Sequence, residues 1–98
     1  MARKIFLQPA AINDIRNSTT YIDKSNPIAA EEFVSKVKLT TKYLSEFPEI
    51  GRKSVQTKPS YYRFLIAGYK HWLLYTYSKT QLEIIRVIHT SRDFDNLV

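Results

Sequence analysis

The residues best suited to chemistry in this chain lie near its end, in the run Ile84–Phe94, "IIRVIHTSRDF". His89 stands between Arg86 and Arg92, and Arg63 lies in an earlier segment. Cleavage of RNA through its own 2′-hydroxyl needs a base for the 2′ proton, cations on the scissile phosphate and an acid for the leaving oxygen. An imidazole can be acid or base near neutrality, and guanidinium groups grip phosphate. Arg63, His89 and Arg92 therefore form one candidate catalytic set. The same run also reads as a buried strand with a polar fringe. His89 would then be a ring hydrogen-bonded to a neighbouring backbone group or hydroxyl. Arg86 would pair with Glu83, Asp93 or Asp95, and Arg92-Asp93 would lock the tail. Strand alternation sets Arg86 opposite Val87 and His89, so a site using both must sit at a strand end.

The surrounding charge is uneven. Residues 1–50 hold seven Lys/Arg and six Asp/Glu. Residues 51–92 hold eight Lys/Arg against the single acid Glu83, interleaved with seven aromatic residues. Such a module attracts polyanions, either nucleic acid or an acidic protein segment. The chain has no cysteine, which excludes disulfides and thiolate metal sites. The histidines and carboxylates are scattered, so neither metal nor cofactor is expected. Apolar runs are too short for a membrane span, and Ile5-Phe6-Leu7 is too short for a signal-peptide core. A cytoplasmic protein is expected, and 98 residues predict one domain over 1–98.

The positioning elements follow from periodicity. Lys4–Gln8 predicts a strand. Pro9 suits a first helical turn, and Ala11, Ile12, Ile15, Thr19 and Ile22 recur at helical spacing up to Asp23. Asn13, Asp14, Arg16 and Asn17 fall on the other side. Asn26-Pro27 predicts a capped second helix, with Glu31 and Glu32 near the positive end of its dipole. Its stripe is Ala30, Phe33, Val34, Val37, Thr41 and Leu44, with Lys36, Lys38 and Lys42 facing outward. "FPEIG" ends it, because Pro48 cannot continue a helix and Gly51 tolerates positive φ. Tyr62–Ala67, His71–Ser78 and Leu82–Thr90 predict an antiparallel meander. The fold class is α+β, in the order β-α-α-β-β-β: a helical hairpin packed on a small, mainly antiparallel curled sheet. Trp72, Tyr75 and Tyr77 are expected in that sheet's core rather than as base-stacking platforms.

That order, with "LSEFPEIGRK", "YYRFLIAGYKHWLLYTY" and "LEIIRVIHTSRDF", resembles the ParE/RelE superfamily of bacterial toxins, and more closely its ParE-like branch. The resemblance runs over nearly the whole chain. It rests on Pro48–Arg52, Tyr62–Phe64, Leu73–Tyr77 and the Arg-Val-x-His-x-x-Arg-Asp segment Arg86–Asp93. It implies the toxin half of a type II toxin–antitoxin pair, neutralised by a cognate antitoxin. ParE-like members inhibit DNA gyrase, whereas RelE-like members cut mRNA in the ribosome. RelE-like nucleases usually add a Tyr or His after the last strand, where this chain has Phe94. They also cluster cations on central strands, where this chain reads His71–Tyr77, apolar and aromatic. The expectation is a binding toxin rather than an enzyme, with Arg52, Arg63, Lys70, Arg86, Arg92 and Phe94 as partner-binding residues. The alternatives are a ribosome-dependent endoribonuclease and a non-toxic antitoxin-binding module.

Overall fold

A computed structural model describes residues 2–54 and 61–90. In chain order these form β1 (Lys4–Leu7), α1 (Pro9–Asp23), α2 (Pro27–Glu46), a 3₁₀ turn (Pro48–Ile50), β2 (Arg52–Ser54), β3 (Tyr61–Leu65), β4 (His71–Tyr77) and β5 (Gln81–His89). The strand order is β1-β5-β4-β3-β2. The meander β2 to β5 is antiparallel throughout, and β1 joins β5 in parallel. The expected α+β fold is present, with β2 as an additional strand. Three residues are too few to show an alternating pattern, and β2 exists because its backbone pairs with β3.

Both helices begin and end where punctuation residues place them. Pro9 and Pro27 occupy first-turn positions, where a missing N–H costs nothing. Asn26 Oδ1 accepts a hydrogen bond from the Ala29 amide at 3.1 Å, satisfying one of α2's orphan donors. Phe33, Val37 and Leu44 of α2 pack with Ala11 of α1 against Leu73, Tyr75, Leu82, Ile84 and Val87 of the sheet. Burying each large side chain contributes about 1.5–3 kcal/mol before conformational entropy is charged. Ile12, expected in the α1 stripe, is exposed instead.

The two glycines act differently. Gly68 has φ +81°, and the β3–β4 turn needs that left-handed residue. Gly51 has φ −71°, so the positive φ it tolerates is not used. Its role is steric: a Cβ would lie 1.9 Å from the Tyr75 hydroxyl. Tyr75 is fully buried in the central strand and donates to the Pro48 carbonyl at 2.5 Å. Burial pushes its pKa up to about 12.

Regular alternation fails once. Leu74 pairs with Arg86 but Tyr75 pairs with Ile84, so Ile85 is an extra residue in β5. Leu82 and Ile84 face the helices before the bulge, and Val87 faces them after it. Ile85 and Ile88 belong to a second cluster with Leu74, Trp72 and Tyr61, on the face turned away from the helices.

Candidate partner-binding site

The bulge and the end of β1 together create the seam between α1 and β5. β1 stops at Leu7, so among the described residues β5 has no strand neighbour beyond Ile84 on that side. Asp14 of α1 occupies the position. One carboxylate oxygen accepts from the Val87 amide at 3.0 Å. The same carboxylate takes both Arg86 Nε, at 2.7 Å, and Arg86 Nη2, at 2.9 Å. This two-point geometry is the strong form of a guanidinium–carboxylate contact. It holds the Arg86 guanidinium above its ordinary pKa. Asp14 was expected on the outer face of α1, and Arg86 was expected to pair with Glu83, Asp93 or Asp95. The placement of Asp14 is corrected, and so is the pairing of Arg86 with Glu83, while Asp93 and Asp95 lie outside the described residues: a carboxylate on a helix replaces a missing strand. Glu83 instead accepts from Gln8 Nε2 at 2.7 Å.

Arg63 lies on the far face of the sheet. Its guanidinium sits over the Trp72 ring, 4.8 Å from the centroid, a cation–π contact. Arg52 is its register partner on β2. Lys70 is exposed in the β3–β4 turn, whose ends are tied by Ile66 N–H to His71 O (3.0 Å) and Thr90 N–H to Lys70 O (2.9 Å). Arg92 and Phe94 lie outside the described residues. Trp72 therefore has a cation on it, while Tyr75 is core and Tyr77 packs at its margin, as expected.

His89 lies on the helix face. It is the register partner of His71, and the two imidazoles meet edge to face at 5.2 Å. The His71 ring also packs on Phe33 of α2 at 4.9 Å, and its Nε2 lies 3.4 Å from Ser18 Oγ. Burial, and then the neighbouring His89 charge, lowers the His71 pKa. The sheet thus stands between Arg63 and His89, and these two members of the proposed nuclease set do not converge. Sequence reading missed the wall that α1 builds opposite the histidines: Asn17, Ser18 and Tyr21. The only signal was a polar strip on α1, taken there for a solvated face. No group of three metal-ligating side chains occurs among the described residues, and no described helix is long and apolar enough to cross a membrane.

The described residues form a helical hairpin laid on one face of a mixed five-stranded sheet, with Arg63, Trp72 and Tyr61 on the other. The family model described as "ParE toxin of type II toxin-antitoxin system, parDE" matches residues 5–94. The chain belongs to the ParE toxin family of type II toxin–antitoxin systems. Among solved structures, the fold is similar to a chain of the chromosomal ParDE toxin–antitoxin system from P. aeruginosa. The TM-score is 0.75 at 12% identity, over 90% of this chain and 96% of that one. No curated protein matches the chain in sequence.

Proposed function

We propose that this protein is a cytoplasmic toxin that acts by binding, inhibiting DNA gyrase, and that a cognate antitoxin neutralises it. The observation that carries this reading over nuclease action is the placement of Arg63 and His89 on opposite faces of one sheet. Transition-state stabilisation requires cations and proton-transfer groups within hydrogen-bond reach of one phosphate. Membership of the ParE toxin family supports the gyrase target. The cations Arg52, Arg63 and Lys70 are the proposed docking groups for acidic partners, joined by Arg92 and Phe94. Arg86 serves the same surface chiefly by fixing the β5 edge, since its charge is matched by Asp14.

The antitoxin segment is proposed to be amphipathic, carrying acids toward these cations and apolar residues toward the exposed Ile5, Phe6 and Leu7 of edge strand β1. The functional test pairs a gyrase supercoiling assay with a ribosome-dependent translation assay on the purified protein. Blocked supercoiling with intact mRNA is expected. Ribosome-dependent mRNA cuts that vanish in His89→Ala would overturn the proposal. Induction without antitoxin should arrest growth; healthy cells full of soluble folded protein would identify a non-toxic binding module instead.

A further inference from the structure

The cleft between α1 and the β3–β4 turn shares only Lys70 with the proposed docking groups. It is a cavity of about 730 Å³, within the range of small-molecule sites. One side presents Lys70, His71 and His89, and the other presents Asn17 and Ser18 from α1. No carboxylate is among the described residues that line it. A second cleft of about 290 Å³, which shares Asn17, Ser18 and His89, contains Asp14, but that charge is matched by Arg86. An ammonium, the His89 imidazole, a hydroxyl and an amide around a space with no acid among its described lining residues are donors for a phosphoryl group.

The remaining wall is flat and apolar. Tyr21 and Tyr69 flank the space with Ile22. Tyr21 is 77% exposed, so its ring stands at the rim with an open face. Tyr69 is held edge-on by Phe33 at 5.1 Å. Aromatic rings beside a phosphate grip suit a nucleobase, which stacks on them without regard to its identity. His71 is a lining residue whose Nε2 lies 3.4 Å from Ser18 Oγ and whose ring packs on Phe33 and His89.

We propose that the cleft between α1 and the β3–β4 turn binds a nucleoside phosphate, with Lys70, His89 and Ser18 on the phosphate and Tyr21 and Tyr69 on the base. The phosphate comes from either a free mononucleotide or the 5′ end of a nucleic-acid strand.

Titration calorimetry at pH 6.5 tests it with three separate probes: adenosine 5′-monophosphate, adenosine and inorganic phosphate. The monophosphate is expected to bind at least about tenfold more tightly than either part alone. Lys70→Ala should weaken the monophosphate about tenfold and leave adenosine unchanged; Tyr21→Ala should weaken both. Lys70 and Tyr21 are exposed, so neither variant threatens the fold. A 5′-phosphorylated trinucleotide separates the two sources: equal or tighter binding assigns a strand end, and loss of binding assigns the free nucleotide. No heat with the monophosphate at millimolar concentration overturns the inference. So does monophosphate binding that is the same in Lys70→Ala as in the parent. The inference and the gyrase reading fail separately, because calorimetry reads the nucleotide and the supercoiling assay on the unsubstituted protein reads gyrase.

Discussion

Gly51 and Tyr75 show how one residue can be fixed by another far away in sequence. The Tyr75 hydroxyl crosses the core to reach the Pro48 carbonyl, and it fills the space where a Gly51 side chain would begin. Gly51→Ala should therefore destabilise the protein by about 1–3 kcal/mol, as overpacking does. Tyr75→Phe removes the clashing oxygen at the cost of a buried hydrogen bond, about 1 kcal/mol. In the double variant the two losses should sum to less than their separate values, because the closest clashing atom is gone while ring carbons at 2.7 and 2.9 Å still have to shift. Urea midpoints of the four proteins measure this, and strict additivity would refute the steric account. The sequence showed that Gly51 follows a helix end, but not why it must be glycine. The reason lies in a strand 24 residues later, out of reach of local pattern.

His71 gives a pH prediction at the same scale. Its pKa in the folded protein lies below the ordinary value of 6.5, from burial first and His89 second. Unfolding therefore takes up a proton between the folded value and 6.5. The contribution of the neutral ring is complete above about 6.5 and is lost as pH falls toward the folded value. The urea midpoint should drop between pH 7.5 and pH 5, and His71→Gln should flatten that limb. Parallel pH profiles for parent and variant would remove His71 as the cause.

Among the elements, the helices and the three long strands were legible because their signals are local. Pro9, Asn26-Pro27 and Pro48 mark ends, and apolar spacing marks faces. The bounds of α1 agree with the sequence reading residue for residue. Strand ends differ by one or two residues, as at β3, where Tyr61–Leu65 was expected as Tyr62–Ala67. Two features were not legible. β2 is too short for a period, and the β5 bulge adds a residue within a run of Ile84, Ile85 and Arg86 that gives no punctuation. That bulge also hid the α1–β5 seam, since Asp14 finds Arg86 only across a strand edge that β1 has left open. Arg86 and Asp14 side chains are 21% and 14% exposed, so the pair is largely shielded from water. Asp14→Asn would leave a guanidinium with its matched charge gone and the Val87 amide less well held. A loss of about 2–3 kcal/mol is expected, below the 3–5 of a fully buried pair because of the residual exposure. Amide exchange should accelerate at Val87 first, while β3 and β4 stay protected. Uniform acceleration across the sheet would mean that the seam is not a local fastening.

For the molecule as a whole, charge decides the order of events on meeting a partner. The chain carries +6 overall, and residues 51–92 supply eight of its fifteen basic side chains. Arg52, Lys53 and Lys70 are exposed, so their field extends into solvent over about one Debye length, roughly 8–10 Å at physiological salt. Arg86 adds little to that field beside Asp14, and the cation-bearing surface is therefore smaller than the sequence count suggests. Long-range attraction of this kind acts mainly on association, whereas apolar contacts at an edge such as β1 act mainly on dissociation. If the antitoxin segment is acidic as proposed, raising salt from 50 to 500 mM should slow its association by about tenfold and change its dissociation rate far less. Reversing Arg52 and Lys53 to Glu should slow association at low salt and abolish most of its salt dependence. Stopped-flow mixing with the cognate antitoxin reads both rates. An association rate indifferent to salt would mean that the basic half of the chain faces something other than this partner.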